Sequence, residues 1–241
     1  MLDYTIFNER PESQDRAIKE LQAMGYQYIP RAEAEKKRGH LSRVLFPDVM
    51  HEFLSSQSFT YRGKVCPFSD DAIGEAIREL DAPLEKGLMY ASKAVYDRLV
   101  YGKSCEIHLY DGNAQSFDIS YIDWEHPEKN IWQVTEEFSV ERLNGKFARP
   151  DIVILVNGIP LAVIECKKAS VDVEESVKQN VRNWQPDYIP QLFKFAQLVI
   201  AANPDTVKYG PAGTTQEYYC KWHEEDREWQ EDSAKRYIGG R

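Results

Sequence analysis

The chain contains no C-x-x-C pair. Its four cysteines, Cys66, Cys105, Cys166 and Cys220, are scattered through 241 residues. This spacing argues against a disulfide framework and against a zinc site made of paired thiols, and it fits a reducing compartment. No apolar run approaches the length of a membrane span. The opening Met1-Leu2-Asp3-Tyr4-Thr5-Ile6 lacks the basic and apolar regions of a secretion signal. The expectation is a soluble, cytoplasmic protein with no membrane contact. Positive charge is also short, with a formal net charge of −9. A protein that gripped nucleic acid unaided would normally be basic, so any such contact must rest on a local patch or on a partner. Internal repeats and low-complexity tracts are missing as well. What remains is 42% hydrophobic and 12% aromatic, enough to build a real core in one large domain or two small ones.

The first half reads as mainly helical. Pro11-Glu12-Ser13 opens a helix whose apolar residues Ala17, Ile18, Leu21 and Met24 recur at helical spacing before Gly25 ends it. A charged segment covers residues 31–43. Pro47-Asp48 starts a helix with Val49, Met50, Phe53 and Leu54 on its apolar face, and Asp70-Asp71 caps another carrying Ile73 and Ile77. A fourth helix is expected over residues 84–101. The second half reads as sheet. Strands over 106–110 and 116–122 flank the turn Asp111-Gly112-Asn113, and a long strand over 131–143 ends at Asn144-Gly145. After the segment described next, helices are expected over Val173–Asn183 and 190–196, then a strand over Leu198–Ala202. From His223 the composition turns highly charged, as in a linker or exposed helix leading out of a domain.

The segment Arg149-Pro150-Asp151 to Glu165-Cys166-Lys167-Lys168 holds two apolar runs joined at Asn157-Gly158. Apolar strands are built to be buried, so charges at their ends must sit at a sheet edge. Glu165 and Lys167 are two apart on a strand and share a face. A regular two-residue hairpin turn would pair Asp151 with Ile164 and put its carboxylate on the opposite face. The chemistry needs both acids together, so an odd-length turn or a bulge is expected, with Gly158 at positive φ. Mg²⁺ is a hard cation commonly held by one or two carboxylates plus phosphate oxygens and water. Asp151, Glu165 and the backbone carbonyl of Cys166 would be the protein ligands, and Lys167 would orient an attacking water and offset developing negative charge. The bland alternative is a buried hairpin with charged ends. Pro-Asp occurs four times, at Asp48, Asp151, Asp187 and Asp205, and Glu-x-Lys recurs at Glu35/Lys37. Only Asp151 combines with Glu165 and Lys167 in a strand–turn–strand frame.

These residues carry the signature of the PD-(D/E)xK nuclease superfamily. Beyond them, the chain resembles the N-terminal nuclease domain of the restriction subunit of type I restriction–modification enzymes. The matching segments are Ser13-Gln14 with Ala17-Ile18 and Gly25-Tyr26, Tyr121-Ile122-Asp123-Trp124 with Asn130, Arg149-Pro150-Asp151, Val156-Asn157-Gly158, Glu165-Cys166-Lys167-Lys168, Ile189-Pro190-Gln191-Leu192-Phe193, and Tyr209-Gly210 onward to Trp222. The resemblance implies an α/β fold, a restriction-endonuclease-like central mixed sheet flanked by helices. The nuclease domain would occupy residues 1–222, with residues 223–241 a linker toward an absent ATP-dependent motor domain. It implies Mg²⁺-dependent cleavage of double-stranded DNA (Mn²⁺ substituting), inactive in the isolated domain. In the full subunit cleavage would be coupled to ATP-driven translocation, with methyltransferase and specificity subunits as partners. Asp151, Glu165 and Lys167 match the family's catalytic positions. Gln179 matches the glutamine of its Gln-x-x-x-Tyr motif, while Asn183, beside Trp184, stands where the tyrosine is expected.

Other assignments are weaker in kind. Glu12 is a candidate to complete the metal shell, against the ordinary reading of an acid favouring a helix N-terminus. Lys168, facing away from Lys167, could reach DNA. Arg31, Lys36, Lys37, Arg38, His40 and Arg43 could contact phosphates or simply form a solvated face balanced by Glu33 and Glu35. Gly102-Lys103-Ser104 is half of a phosphate-binding loop, preceded by a helix rather than a strand, and reads as a helix end. His51, His108, His126 and His223 show no ligand spacing. Two alternatives to the restriction reading are a superfamily nuclease of a repair or mobile-element system, and a nuclease-like module that serves only for docking.

Overall fold

The computed structural model describes residues 12–222. In chain order it contains α1 (Glu12–Ala23), β1 (Gln27–Ile29), α2 (Arg31–Arg38), α3 (Pro47–Ser55), β2 (Ser58–Tyr61), β3 (Lys64–Pro67), α4 (Asp70–Leu80) and α5 (Leu88–Tyr101). These are followed by β4 (Lys103–His108), β5 (Ala114–Ile119), β6 (Trp132–Glu136), β7 (Val140–Glu141), β8 (Phe147–Ala148), β9 (Ile152–Val156), β10 (Ile159–Cys166), α6 (Val173–Asn183), α7 (Pro190–Phe193), β11 (Leu198–Ala202), β12 (Val207–Gly210) and β13 (Cys220–Lys221).

Seven strands form one sheet in the order β1-β6-β9-β10-β11-β12-β13. β1–β6 and β10–β11 pair parallel, and the other neighbours antiparallel. This is the expected mixed α/β sheet. The central strands β9 and β10 are buried along almost their whole length, which is why they read as near-continuous apolar runs. A parallel neighbour demands a crossover, and α6 supplies it between β10 and β11. Ile18 of α1 packs on one sheet face with Val134, Ile152, Ile164 and Cys166. The larger core lies on the other face, where Val153, Leu155, Val163 and Val199 meet Val177 of α6 and the apolar faces of α3, α4 and α5.

Several sequence-based boundaries shift. The 31–43 segment folds as the short helix α2, and the fourth helix begins at Leu88 rather than 84. The hairpin expected around Asp111-Gly112-Asn113 is β4–β5, starting earlier than expected. The strand expected over 131–143 is broken after Glu136. Glu137 turns to φ 50, and the Glu137 and Phe138 amides donate to the Asp151 and Pro150 carbonyls. Pro150 has no N–H to extend a ladder, so the chain leaves the sheet here and returns as the small β7–β8 pair. The N-terminal half is also less helical than expected, because β1 joins the sheet and β2–β3 form a hairpin through Arg62 and Gly63, both at positive φ. The charged tract 223–241 lies outside the described residues.

Candidate active site

Asp151 and Glu165 are brought together by a bulge. The turn itself has two residues at positive φ, Asn157 (φ 52) and Gly158 (φ 79), so the regular register would have misplaced Asp151. The ladder pairs Ile159 with Val156 and Pro160 with Leu155, then skips Leu161 and continues from Ala162–Ile154 to Ile164–Ile152. One step further, Asp151 falls opposite Glu165, on the face that α6 covers. The expected compensation is therefore present as a bulge in β10. Gly158 has a second reason to be glycine: a Cβ there would stand 2.6 Å from the Phe46 carbonyl at the start of α3. The Asn157 side chain locks the turn, accepting from Ile131 N (2.7 Å) and donating to the Tyr121 carbonyl (2.9 Å) and Asn130 Oδ1 (2.8 Å).

Each side chain of the site is held. Asp151 Oδ2 accepts from the Cys166 amide at 2.7 Å. Glu165 is fully buried (0% exposed); its Oε2 accepts from Gln179 Nε2 at 2.6 Å and its Oε1 from Asn183 Nδ2 at 3.0 Å. Lys167 Nζ donates to Gln179 Oε1 at 2.7 Å, so a single amide links the lysine to the glutamate. The start of α1 also reaches the site: Ser13 Oγ donates to the Lys167 carbonyl at 2.9 Å and Gln14 Nε2 to the Asp151 carbonyl at 3.3 Å.

The electrostatics follow from burial and from the paired acids. Burial first, and then the Asp151 charge, hold the Glu165 carboxyl well above the usual carboxylate range, while Lys167 pulls the other way. Burial, with help from Asp151 and Glu165, pushes the Cys166 thiol up to about 12; it is a packed side chain, not a reactive one. The Tyr219 hydroxyl is raised by burial and by the Glu165 charge, and has no hydrogen-bond partner among the described residues. The Asp151 charge facing Glu165 disfavours ionisation of that buried acid, and a hard divalent cation between the two would relieve it. Among the described residues no cluster of three or more His, Cys, Asp or Glu side chains is placed to hold a metal ion, so the candidate donors described at this site are the two carboxylates.

Asp151, Glu165, Lys167 and Gln179 are thus gathered as the sequence suggested. Lys168 is exposed, two residues past the end of β10. Glu12 is the first residue of α1, one position before Ser13, and its side chain falls outside what the structure describes. The cationic cluster around α2 is partly structural. Arg38 is buried against the Phe138 ring and donates to the Ser139 carbonyl at 2.8 Å; Arg31 and Lys37 pair with Glu35 and Glu33. Lys103 of the half-loop motif is tied to Glu79 at 2.7 Å, and Gly102 caps α5, confirming a helix end. The sequence presents Asn183 only as a departure from a motif, and Ser13 and Gln14 only as residues of the resemblance. Their contacts arise from the packing of α6 and α1, which sequence spacing alone does not reveal.

Comparisons with known proteins place the chain in a family. Residues 6–218 match the family described as type I restriction enzyme R protein N terminus. The chain is 30% identical over 124 residues to the type I restriction enzyme SsaAORF53P endonuclease subunit of Staphylococcus saprophyticus, covering 52% of this chain and 12% of that one. It is 23% identical over 230 residues to the HindI endonuclease subunit of Haemophilus influenzae (92% of this chain, 21% of that one). It is 30% identical over 132 residues to the EcoprrI endonuclease subunit of Escherichia coli (54% and 39%). The chain therefore spans well under half the length of these relatives. With the family match running over nearly the whole fold, the chain belongs to the family of type I restriction enzyme R protein N-terminal domains.

Proposed function

We propose that this domain carries the phosphodiester-cleaving centre of a type I restriction enzyme, acting on double-stranded DNA in the cytoplasm. The observation that carries the reading is the bulged β9–β10 hairpin, which sets Asp151 opposite Glu165 and leaves Lys167 on the same face. Asp151, Glu165 and the Cys166 carbonyl would hold a magnesium ion, with manganese as a substitute. When bound, the ion supplies an acidified water and neutralises charge on the phosphate. Lys167, tethered by Gln179, places its ammonium beside the attacked phosphate and offsets charge developing there. The hydrogen bonds to Asp151 and Glu165 fix both carboxylates before the substrate arrives, so little reorganisation is left for the reaction itself. Lys168, exposed at the end of β10, would meet a DNA phosphate, and Glu12 would add an acidic group from α1. ATP-driven translocation and site recognition would belong to a motor domain and to methyltransferase and specificity subunits beyond this domain.

Calorimetric titration of Mn²⁺ or Mg²⁺ into wild-type chain, Asp151→Ala and Glu165→Ala tests the reading. Binding in the wild type that is lost in both variants, with circular dichroism unchanged, is expected. The same two substitutions in the assembled enzyme should abolish cleavage, at least a thousandfold, while leaving assembly intact. Equal metal binding in all three proteins, or cleavage surviving either substitution, would overturn it.

A further inference from the structure

The least explained contact in the site is the one from Asn183, where the resemblance leads one to expect a tyrosine. We propose that Asn183 is a positioning residue for the metal-binding carboxylate: its side-chain amide fixes the rotation of Glu165 so that the unused lone pairs of that carboxylate face Asp151. This inference rests on the nuclease reading above.

The terminal torsion of a glutamate is soft and broad. Gln179 alone, donating to Oε2, would leave the group free to rock about that one bond. A second donor on Oε1 removes the freedom, and Asn183 Nδ2 provides it at 3.0 Å. Each carboxylate oxygen has about two acceptor sites, so one amide donor per oxygen leaves one site on each for a cation. The two amides thus orient Glu165 without consuming its capacity to bind.

Asn183 is itself well held. It is 1% exposed and closes α6, where its backbone carbonyl accepts from Ile189 N at 3.0 Å and the next residue, Trp184, packs edge-on against Phe193. Arg182 Nη2 approaches Asn183 Oδ1 at 3.5 Å. A guanidinium can only donate, so it turns the amide oxygen toward itself and the amide nitrogen toward Glu165. The amide direction is therefore set from both ends.

The test is calorimetric titration of Mn²⁺ into the 241-residue chain, comparing wild type, Asn183→Leu, which keeps the branched shape and lacks the donor, and Asn183→Ser, whose hydroxyl stops a bond short of Glu165. Thermal melts report folding, and Glu165→Ala serves as the non-binding reference. Removing a group that orients a metal ligand typically weakens metal affinity about ten- to a hundredfold, and that loss is expected in each folded variant. A folded variant that binds Mn²⁺ as tightly as wild type, whatever its melting temperature, overturns this inference and leaves the nuclease reading standing. Wild type that binds no Mn²⁺, like Glu165→Ala, overturns both.

Discussion

Asp151 and Glu165 illustrate how a site can be set against the stability of its own fold. Glu165 is buried and faces a second acid, so its folded-state carboxyl titrates above its unfolded value. The folded chain then binds more protons than the unfolded one between those two values, and stability must fall as pH rises through that window. Stability from this source is greatest below the ordinary glutamate range, near pH 4.3, and is lost as pH rises through the raised folded value. Asp151→Asn removes the facing charge while keeping an oxygen able to accept from the Cys166 amide. We expect it to raise the stability of the metal-free chain at pH 7, with the gain shrinking toward pH 4, where Glu165 is protonated in both folded proteins. Thermal melts at the two pH values check this. A gain that persists at pH 4 would mean that relief of charge repulsion is not its source.

Among the elements, the β9–β10 hairpin shows what sequence can and cannot reveal. Its strands were legible because both are buried and apolar, and the need for an irregularity followed from parity: a two-residue turn and two acids that must share a face. Whether the extra residue lay in the turn or in a strand was not legible, since no side chain marks Leu161 as the skipped position. The break after Glu136 was hidden for a similar reason. The apolar alternation continues past it, while the cause lies in the Asp151 and Pro150 carbonyls of a strand distant in sequence. The β2–β3 hairpin was missed because Arg62-Gly63 lacks the usual asparagine or aspartate of its turn type. Register makes a further claim testable. Deleting Leu161 gives a regular hairpin in which Asp151 still stands opposite Glu165, so Mn²⁺ binding should survive, at some cost in packing. Deleting Ile154 from β9 leaves the bulge in place and moves Asp151 opposite Ile164, on the other face, so binding should disappear. If the Leu161 deletion folds but fails to bind, or the Ile154 deletion binds, the β9–β10 register is not what aligns the acids.

At the scale of the whole molecule, the net charge of −9 must be reconciled with a polyanionic substrate. Several cations around the site are locally neutralised: Arg149 is paired with Glu137, Lys178 with Glu175 and Lys208 with Glu174. Lys167 is committed to Gln179, which leaves Lys168 as the exposed lysine at the mouth. Non-specific affinity for duplex DNA comes mainly from counterions released as lysines and arginines neutralise phosphates, and each such contact steepens the salt dependence by about 0.9 in the log–log slope. A domain with a net charge of −9 should bind weakly and with a shallow slope. In the reading proposed here, DNA is delivered to the site and held there by other parts of the enzyme, so the domain has no need of a strong grip of its own. An acidic surface would even help, by keeping the cutting centre off DNA until it is presented. Fluorescence anisotropy with a short duplex and the 241-residue chain is expected to give a dissociation constant no tighter than about 10⁻⁴ M near physiological salt, the weak end of the non-specific range, with a slope corresponding to no more than about two or three phosphate contacts. Micromolar or tighter binding with a steep slope would require a continuous basic track on the domain, and the division between a cutting domain and a separate DNA-gripping machine would fail.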